Sequence, residues 1–130
     1  MVGIVIVSHS AKIAEGIKDL VSQVADKNLR IVVAGGMVEG GIGTDAVIIS
    51  EAILEANTGD GVVILVDLGS AVLSSNMALE LVDEATRKVT RIADAPIVEG
   101  AISAVVQATI GSSIDEVVAV AEEARSMLKL

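Results

Sequence analysis

The sequence predicts an α/β fold with an open, mainly parallel sheet flanked by helices, and three observations carry that prediction. Three short apolar runs, VGIVIV at Val2–Val7, RIVVA at Arg30–Ala34 and VVILV at Val62–Val66, show no polar/apolar alternation. Such runs suit strands covered on both faces, as in a parallel sheet. Each run leads into a segment whose apolar residues recur at helical spacing, so strands and helices alternate as in βαβ units. Hydrophobic residues make up 52% of the 130 residues and none is aromatic, which predicts a core of Val, Ile, Leu and Ala. A chain of this length reads as one domain, 1–130, able to bury roughly two thirds of its unfolded surface without disulfides or a structural metal.

Strand 1 ends at Ser8-His9-Ser10, where Ser10 is placed to cap a first helix over Ala11–Ala25. Ile13, Ile17, Leu20, Val21 and Val24 form the apolar stripe of that helix. Strand 2 runs into Gly35–Gly43, a loop with five glycines in nine residues. Thr44 or Asp45 caps a second helix reaching about Asn57, with Ile48, Ile49, Ala52, Ile53 and Ala56 inward. Thr58-Gly59-Asp60-Gly61 is a turn before strand 3. Strand 3 ends at Asp67, and Leu68-Gly69-Ser70 leads into a third helix over Ala71–Ala85. Lys88–Ile92 alternates like a fourth strand and Pro96 marks a break. Two final helices follow over Ile97–Ile110 and Ser113–Leu128, the second capped by Ser113 with Asp115 and Glu116 in its first turn.

Eighteen acidic residues against nine basic give a net charge of −9. That charge repels phosphate backbones and anionic lipid, and no aromatic side chain is present to stack on bases or anchor at a membrane surface. Nucleic-acid and membrane binding are therefore not expected. The absence of cysteine excludes a disulfide scaffold, a thiol nucleophile and an iron–sulfur centre, and a single histidine leaves no metal-ligand set. No apolar run reaches the ~18 residues of a membrane span, and the N-terminus has no basic region or cleavage site, so a cytoplasmic protein is expected.

Three loops hold the candidate chemistry, and each follows a strand: Ser8-His9-Ser10, Gly35–Thr44 and Asp67-Leu68-Gly69-Ser70. In open α/β sheets, ligands sit beyond the carboxyl ends of the strands where strand order reverses. If strand 1 is central between strands 2 and 3, His9 and Asp67 face each other there. His9 lies at a strand-to-helix junction rather than on an apolar helix face, which points to chemistry; the competing reading is a polar helix cap. Asp67 accepting from Nδ1–H would fix the imidazole tautomer and make Nε2 the nucleophile. Asp67 also reads as the N-cap of the third helix, and both roles can hold. Ser8 or Ser10 as a nucleophile is a weak reading, because neighbours at a strand end point different ways.

The glycine loop stays open between three readings. Gly41-Ile42-Gly43-Thr44-Asp45-Ala46 matches the dinucleotide fingerprint G-x-G-x-x-A, with Asp67 about where a ribose-binding acid falls. Against it, Gly35–Gly40 intervene after the strand, and that strand is the second, not the first. The loop can instead offer N–H donors to an oxyanion such as a phosphoryl group, or be a plain surface turn. The three loops contain no Lys or Arg, and only Lys12 is near in sequence, so a phosphoryl site here takes its cations from a partner. Met37, Val38, Ile42, Leu68, Val72, Leu73 and Met77 lie on or just after these loops, and the exposed ones would form an apolar rim for docking another protein.

Gly3-Ile4-Val5-Ile6-Val7-Ser8-His9-Ser10, Gly35-Gly36, Ile42-Gly43-Thr44, Asp67-Leu68-Gly69-Ser70-Ala71 and Ala95-Pro96-Ile97-Val98-Glu99-Gly100-Ala101 occur in that order. Together they resemble the phosphotransferase subunit of the phosphoenolpyruvate-dependent dihydroxyacetone kinase, a family with the fold of mannose-class enzyme IIA. The resemblance implies a sheet of order 2-1-3-4 and a homodimer. It implies that His9 takes a phosphoryl group from the histidine-containing phosphocarrier protein, with Asp67 as its orienting partner. The group then passes to ADP held on the nucleotide-binding subunit of the kinase, so ADP and ATP stay on that partner and no cofactor is expected on this chain. Ser10, Gly35, Gly36, Gly43, Thr44, Gly69 and Ser70 are the candidates for holding the phosphoryl group. The alternatives are a mannose-class enzyme IIA that feeds the IIB protein of a sugar transporter, a regulatory module read by a binding partner, and a small dinucleotide-binding domain. The apolar, small-residue character of the third helix and of Ile97–Ile110 also points to burial in a dimer.

Overall fold

The apolar runs are strands because each residue of β1 (Gly3–Ser8) and β3 (Val62–Val66) is buried, leaving no side for a polar residue to face. The structure is a computed structural model describing residues 1–130. The remaining elements are α1 (Ala11–Ser22), β2 (Ile31–Gly35), α2 (Ala46–Ala56), α3 (Gly69–Leu79), α4 (Glu84–Lys88), β4 (Thr90–Ile92), α5 (Ile97–Thr109) and α6 (Ile114–Glu123), with a 3₁₀ turn over Ala124–Ser126. The four strands pair in parallel in the order β2-β1-β3-β4, as expected.

Alternate β1 and β3 side chains enter opposite layers. Ile4, Ile6, Val63 and Leu65 meet Ala14, Ile17 and Val21 of α1, Ala101, Ala104 and Val105 of α5, and Val117 and Ala121 of α6. Val5, Val7, Ile64 and Val66 meet Ile49, Ala52 and Ile53 of α2 and Ala71 and Ala78 of α3. Each fully buried Val, Ile or Leu contributes about 1.5–3 kcal/mol of transfer free energy, and these aliphatic layers replace the missing aromatics. Helix α3 lies on one face of the sheet and α5 on the other.

Several boundaries differ from the sequence expectation, each for a local reason. Helix α1 stops at Ser22, whose hydroxyl turns back to the Lys18 carbonyl, and Val24 N–H bonds only three residues back, to Val21. Ala14, Ile17 and Val21 form its buried line; Ile13, Leu20 and Val24 lie off that line and stay about half exposed. The expected third helix is two helices. α3 begins two residues earlier, at Gly69, and ends at Leu79; Asp83 then caps α4 by accepting from Thr86 N–H and its hydroxyl. Lys88 closes α4, so β4 keeps only Thr90–Ile92. The last helix ends at Glu123 in the 3₁₀ turn, and its Ser113–Glu116 capping box is present.

Candidate functional site

The strand order puts the ends of β1 and β3 side by side, and His9 and Asp67 are the first residues beyond them. His9 Nδ1 lies 2.9 Å from Asp67 Oδ1, and His9 N–H donates to Oδ2 at 2.9 Å. The carboxylate takes two further donors: Leu68 N–H on Oδ1 at 2.8 Å and the Ser8 hydroxyl on Oδ2 at 3.0 Å. Burial alone pushes the Asp67 carboxyl up. The hydrogen bonds from His9 N–H, the His9 ring and Ser8, together with the charge of His9, outweigh it and hold the group below its ordinary value. An ionised carboxylate only accepts, so Nδ1 carries a ring proton, and in the neutral tautomer that this leaves the lone pair is on Nε2. The Ser70 hydroxyl lies 2.7 Å from Nε2 and donates to it in that tautomer. The imidazole is thus held at both nitrogens while 21% of its side chain stays exposed.

With this geometry in view, similarity to known proteins narrows the chemistry. Residues 3–118 match the family model EIIA-man, the PTS system fructose IIA component. The chain belongs to the EIIA-man family. It is 40% identical over 113 residues to the phosphoryl donor subunit DhaM of PEP-dependent dihydroxyacetone kinase 2 from Listeria innocua, covering 87% of this chain and 90% of that protein. It is 40% identical over 126 residues to the phosphotransferase subunit DhaM of the PTS-dependent dihydroxyacetone kinase from Lactococcus lactis, covering 97% and 95%. The phosphoryl donor subunit DhaM from Providencia stuartii is 40% identical over 127 residues, and the match covers 27% of that longer protein. The solved structure of EF1359, a protein of unknown function, superposes with a TM-score of 0.84 at 36% identity over 95% of both chains.

The candidate residues of this EIIA-man chain divide by where their donors go. Gly69 and Ser70 open α3 beside Nε2, and as first-turn residues their N–H groups have no partner in the chain. Ser10 spends its hydroxyl capping α1, on Ile13 N–H. Gly36 N–H donates to the Ser8 carbonyl and Gly43 N–H to the His9 carbonyl, so neither is free for an oxyanion. Gly35 has a steric role: a Cβ there would lie 2.8 Å from Ala11 Cα. The Thr44 hydroxyl meets Ser74 Oγ at 2.6 Å, tying the glycine loop to α3. The loop therefore braces the His9 backbone through Gly43, while the unpartnered Gly69 and Ser70 N–H groups open the helix whose Ser70 hydroxyl meets Nε2. Asp67 is not the N-cap of α3; Leu68 holds that position without a side-chain bond.

The dinucleotide fingerprint loses its support here. Its loop follows β2, an edge strand, and all the contacts that a ribose-binding acid would need are already made by Asp67. Val38 and Ile42 on the glycine loop and Leu68, Leu73 and Met77 at and along α3 are exposed, while Met37 and Val72 are half-buried. A cleft of about 490 Å³ between α3 and the β4–α5 connection opens beside Asp67, lined by Leu68, Val72 and Asn76. A larger cleft of about 600 Å³ lies between the end of α1 and β2, and no site residue lines it. Ser8 is the site residue that sequence reasoning set aside. Its side chain is fully buried, and the only signal for it was its place next to His9.

Proposed function

We propose that this EIIA-man chain is a histidine phosphocarrier. His9 accepts a phosphoryl group from the histidine-containing phosphocarrier protein and passes it to ADP bound on the nucleotide-binding subunit of dihydroxyacetone kinase. One observation carries the reading: Asp67 takes Nδ1–H, so Nε2 is the nucleophilic nitrogen, and it lies at the start of α3, whose first N–H groups are free. The Nε2 lone pair attacks phosphorus as the donor's N–P bond breaks, and that electron pair returns to the donor imidazole. Ser70 O–H turns from Nε2 to a phosphoryl oxygen, and Gly69 and Ser70 N–H face the same anion. In discharge a terminal oxygen of ADP attacks the phosphorus and the N–P bond to His9 breaks. Relatives named as phosphoryl donor subunits of dihydroxyacetone kinase support this acceptor. The family description as a fructose IIA component favours a second reading, discharge to a sugar transporter's IIB protein.

We place the chain in the cytoplasm as a homodimer; no helix is long and apolar enough to cross a membrane. Sedimentation at micromolar concentration should give about twice 13.2 kDa, and a monomer mass would remove the dimer. The relay is tested by incubating the chain with phosphoenolpyruvate, enzyme I and the phosphocarrier protein and taking an intact mass. We expect a gain of one phosphoryl group, stable to alkali, labile to acid and absent in His9→Ala. Subsequent addition of ADP-loaded kinase subunit should discharge it, and a IIB protein should not. No gain, with a control acceptor phosphorylated, overturns the relay.

A further inference from the structure

The Ser8 hydroxyl is fully buried at the end of β1 and has a complete set of partners. It donates to Asp67 Oδ2 at 3.0 Å and accepts from Ser10 N–H at 3.1 Å. It makes no hydrogen bond to Nε2, whose partner is Ser70. Each Asp67 oxygen has one donor that belongs to His9 and one that does not: Leu68 N–H on Oδ1 and Ser8 O–H on Oδ2. Without Ser8, Oδ2 keeps only the His9 N–H, and nothing from β1's buried side chains holds the carboxylate plane. Ser10 N–H, at the start of α1, loses its acceptor at the same time.

We propose that Ser8 is a positioning residue for His9: its hydroxyl locks the Asp67 carboxylate so that Oδ1 stays turned toward Nδ1–H and Nε2 remains the attacking nitrogen. The inference rests on the phosphocarrier reading for its kinetic consequence but not for its structural one. It separates Ser8 from Ser10, which caps α1, and from Ser70, which meets Nε2 directly.

The test compares Ser8→Ala, Ser8→Cys and Ser8→Thr with the native chain. Long-range ¹H–¹⁵N spectra of the unphosphorylated proteins report which His9 nitrogen carries the proton. Single-turnover phosphorylation by the phosphocarrier protein reports rate and half-saturation separately. Ser8→Ala should move the His9 ring signals toward a mixture of tautomers and lower the maximal rate by roughly tenfold, the scale of one hydrogen bond to a charged group, with half-saturation unchanged. Ser8→Thr, which keeps the hydroxyl, should restore both readouts. If Ser8→Ala does not fold, the isosteric Ser8→Cys, a weaker donor, should show the same shifts in smaller measure. Native tautomer signals and native rate in the folded variants overturn the proposal. The spectra need no phosphoryl transfer, so a native chain that fails to be phosphorylated overturns the relay and leaves the Ser8 result readable.

Discussion

At the scale of residues, one carboxylate organises the site, and its ionisation has a testable consequence. Asp67 titrates below its ordinary 3.8 because burial, which raises it, is outweighed by the hydrogen bonds from His9 N–H, the His9 ring and Ser8 together with the charge of His9. A group whose folded-state pKa is depressed contributes stability above its unfolded value, and that contribution is lost as pH falls through the folded value. Asp67→Asn should therefore lower the denaturant midpoint at neutral pH, with the gap to the native chain closing as pH drops below about 3.8. Denaturation at pH 7 and pH 3 checks this; a gap of constant size removes Asp67's charge as its cause. The His9–Asp67 pair was legible in the sequence because both residues end apolar runs, and parallel strands bring their carboxyl ends together. Ser8 was not legible as a partner. Its hydroxyl direction depends on the pleat of β1 relative to β3, which no spacing reports.

At the scale of elements, the glycine loop and α1 hold His9 from two sides. Gly43 N–H fixes the His9 carbonyl, and β2 passes α1 closely enough at Gly35 that a Cβ would meet Ala11 Cα at 2.8 Å and Ala14 Cβ at 2.9 Å. Gly35→Ala should push α1 off the sheet, costing roughly 1–3 kcal/mol in chemical denaturation. It should also slow phosphoryl acceptance, since α1 begins two residues after His9. Asp45→Ala is the contrast. It removes the cap on Val47 and Ile48 N–H and should cost about 1 kcal/mol with acceptance unchanged. Equal slowing by both variants would mean that global stability, not the seat of α1, governs the rate. The strands and α2 were legible because buried runs and an Asp cap mark them locally. The break between α3 and α4 was not, since Glu80–Asp83 continues a plausible helix surface until Asp83 turns to cap Thr86.

At the scale of the whole molecule, charge decides what can approach. The chain carries −9, its site loops hold Glu39 and Asp67 with no Lys or Arg, and a phosphoryl group adds further negative charge. Phosphoryl transfer needs that charge offset, so in the proposed relay the partners bring the cations, and the exposed Val38, Ile42, Leu68, Leu73 and Met77 offer them apolar surface. Under that reading long-range attraction sets the encounter rate, while the half-buried His9–Asp67 contact sets the chemistry. Raising ionic strength from about 0.01 M to about 1 M shortens the Debye length from ~30 Å to ~3 Å. The apparent second-order rate of phosphorylation should fall by ~10-fold or more, and the maximal rate at saturating donor should hold. Replacing arginines on the donor's facing surface by glutamine should flatten that salt dependence, because the steering charge belongs to the partner. A salt-independent encounter rate, or a dependence that survives the arginine replacements, would move the cations to this chain. Lys12, near His9 at the start of α1, would then be the residue to neutralise next.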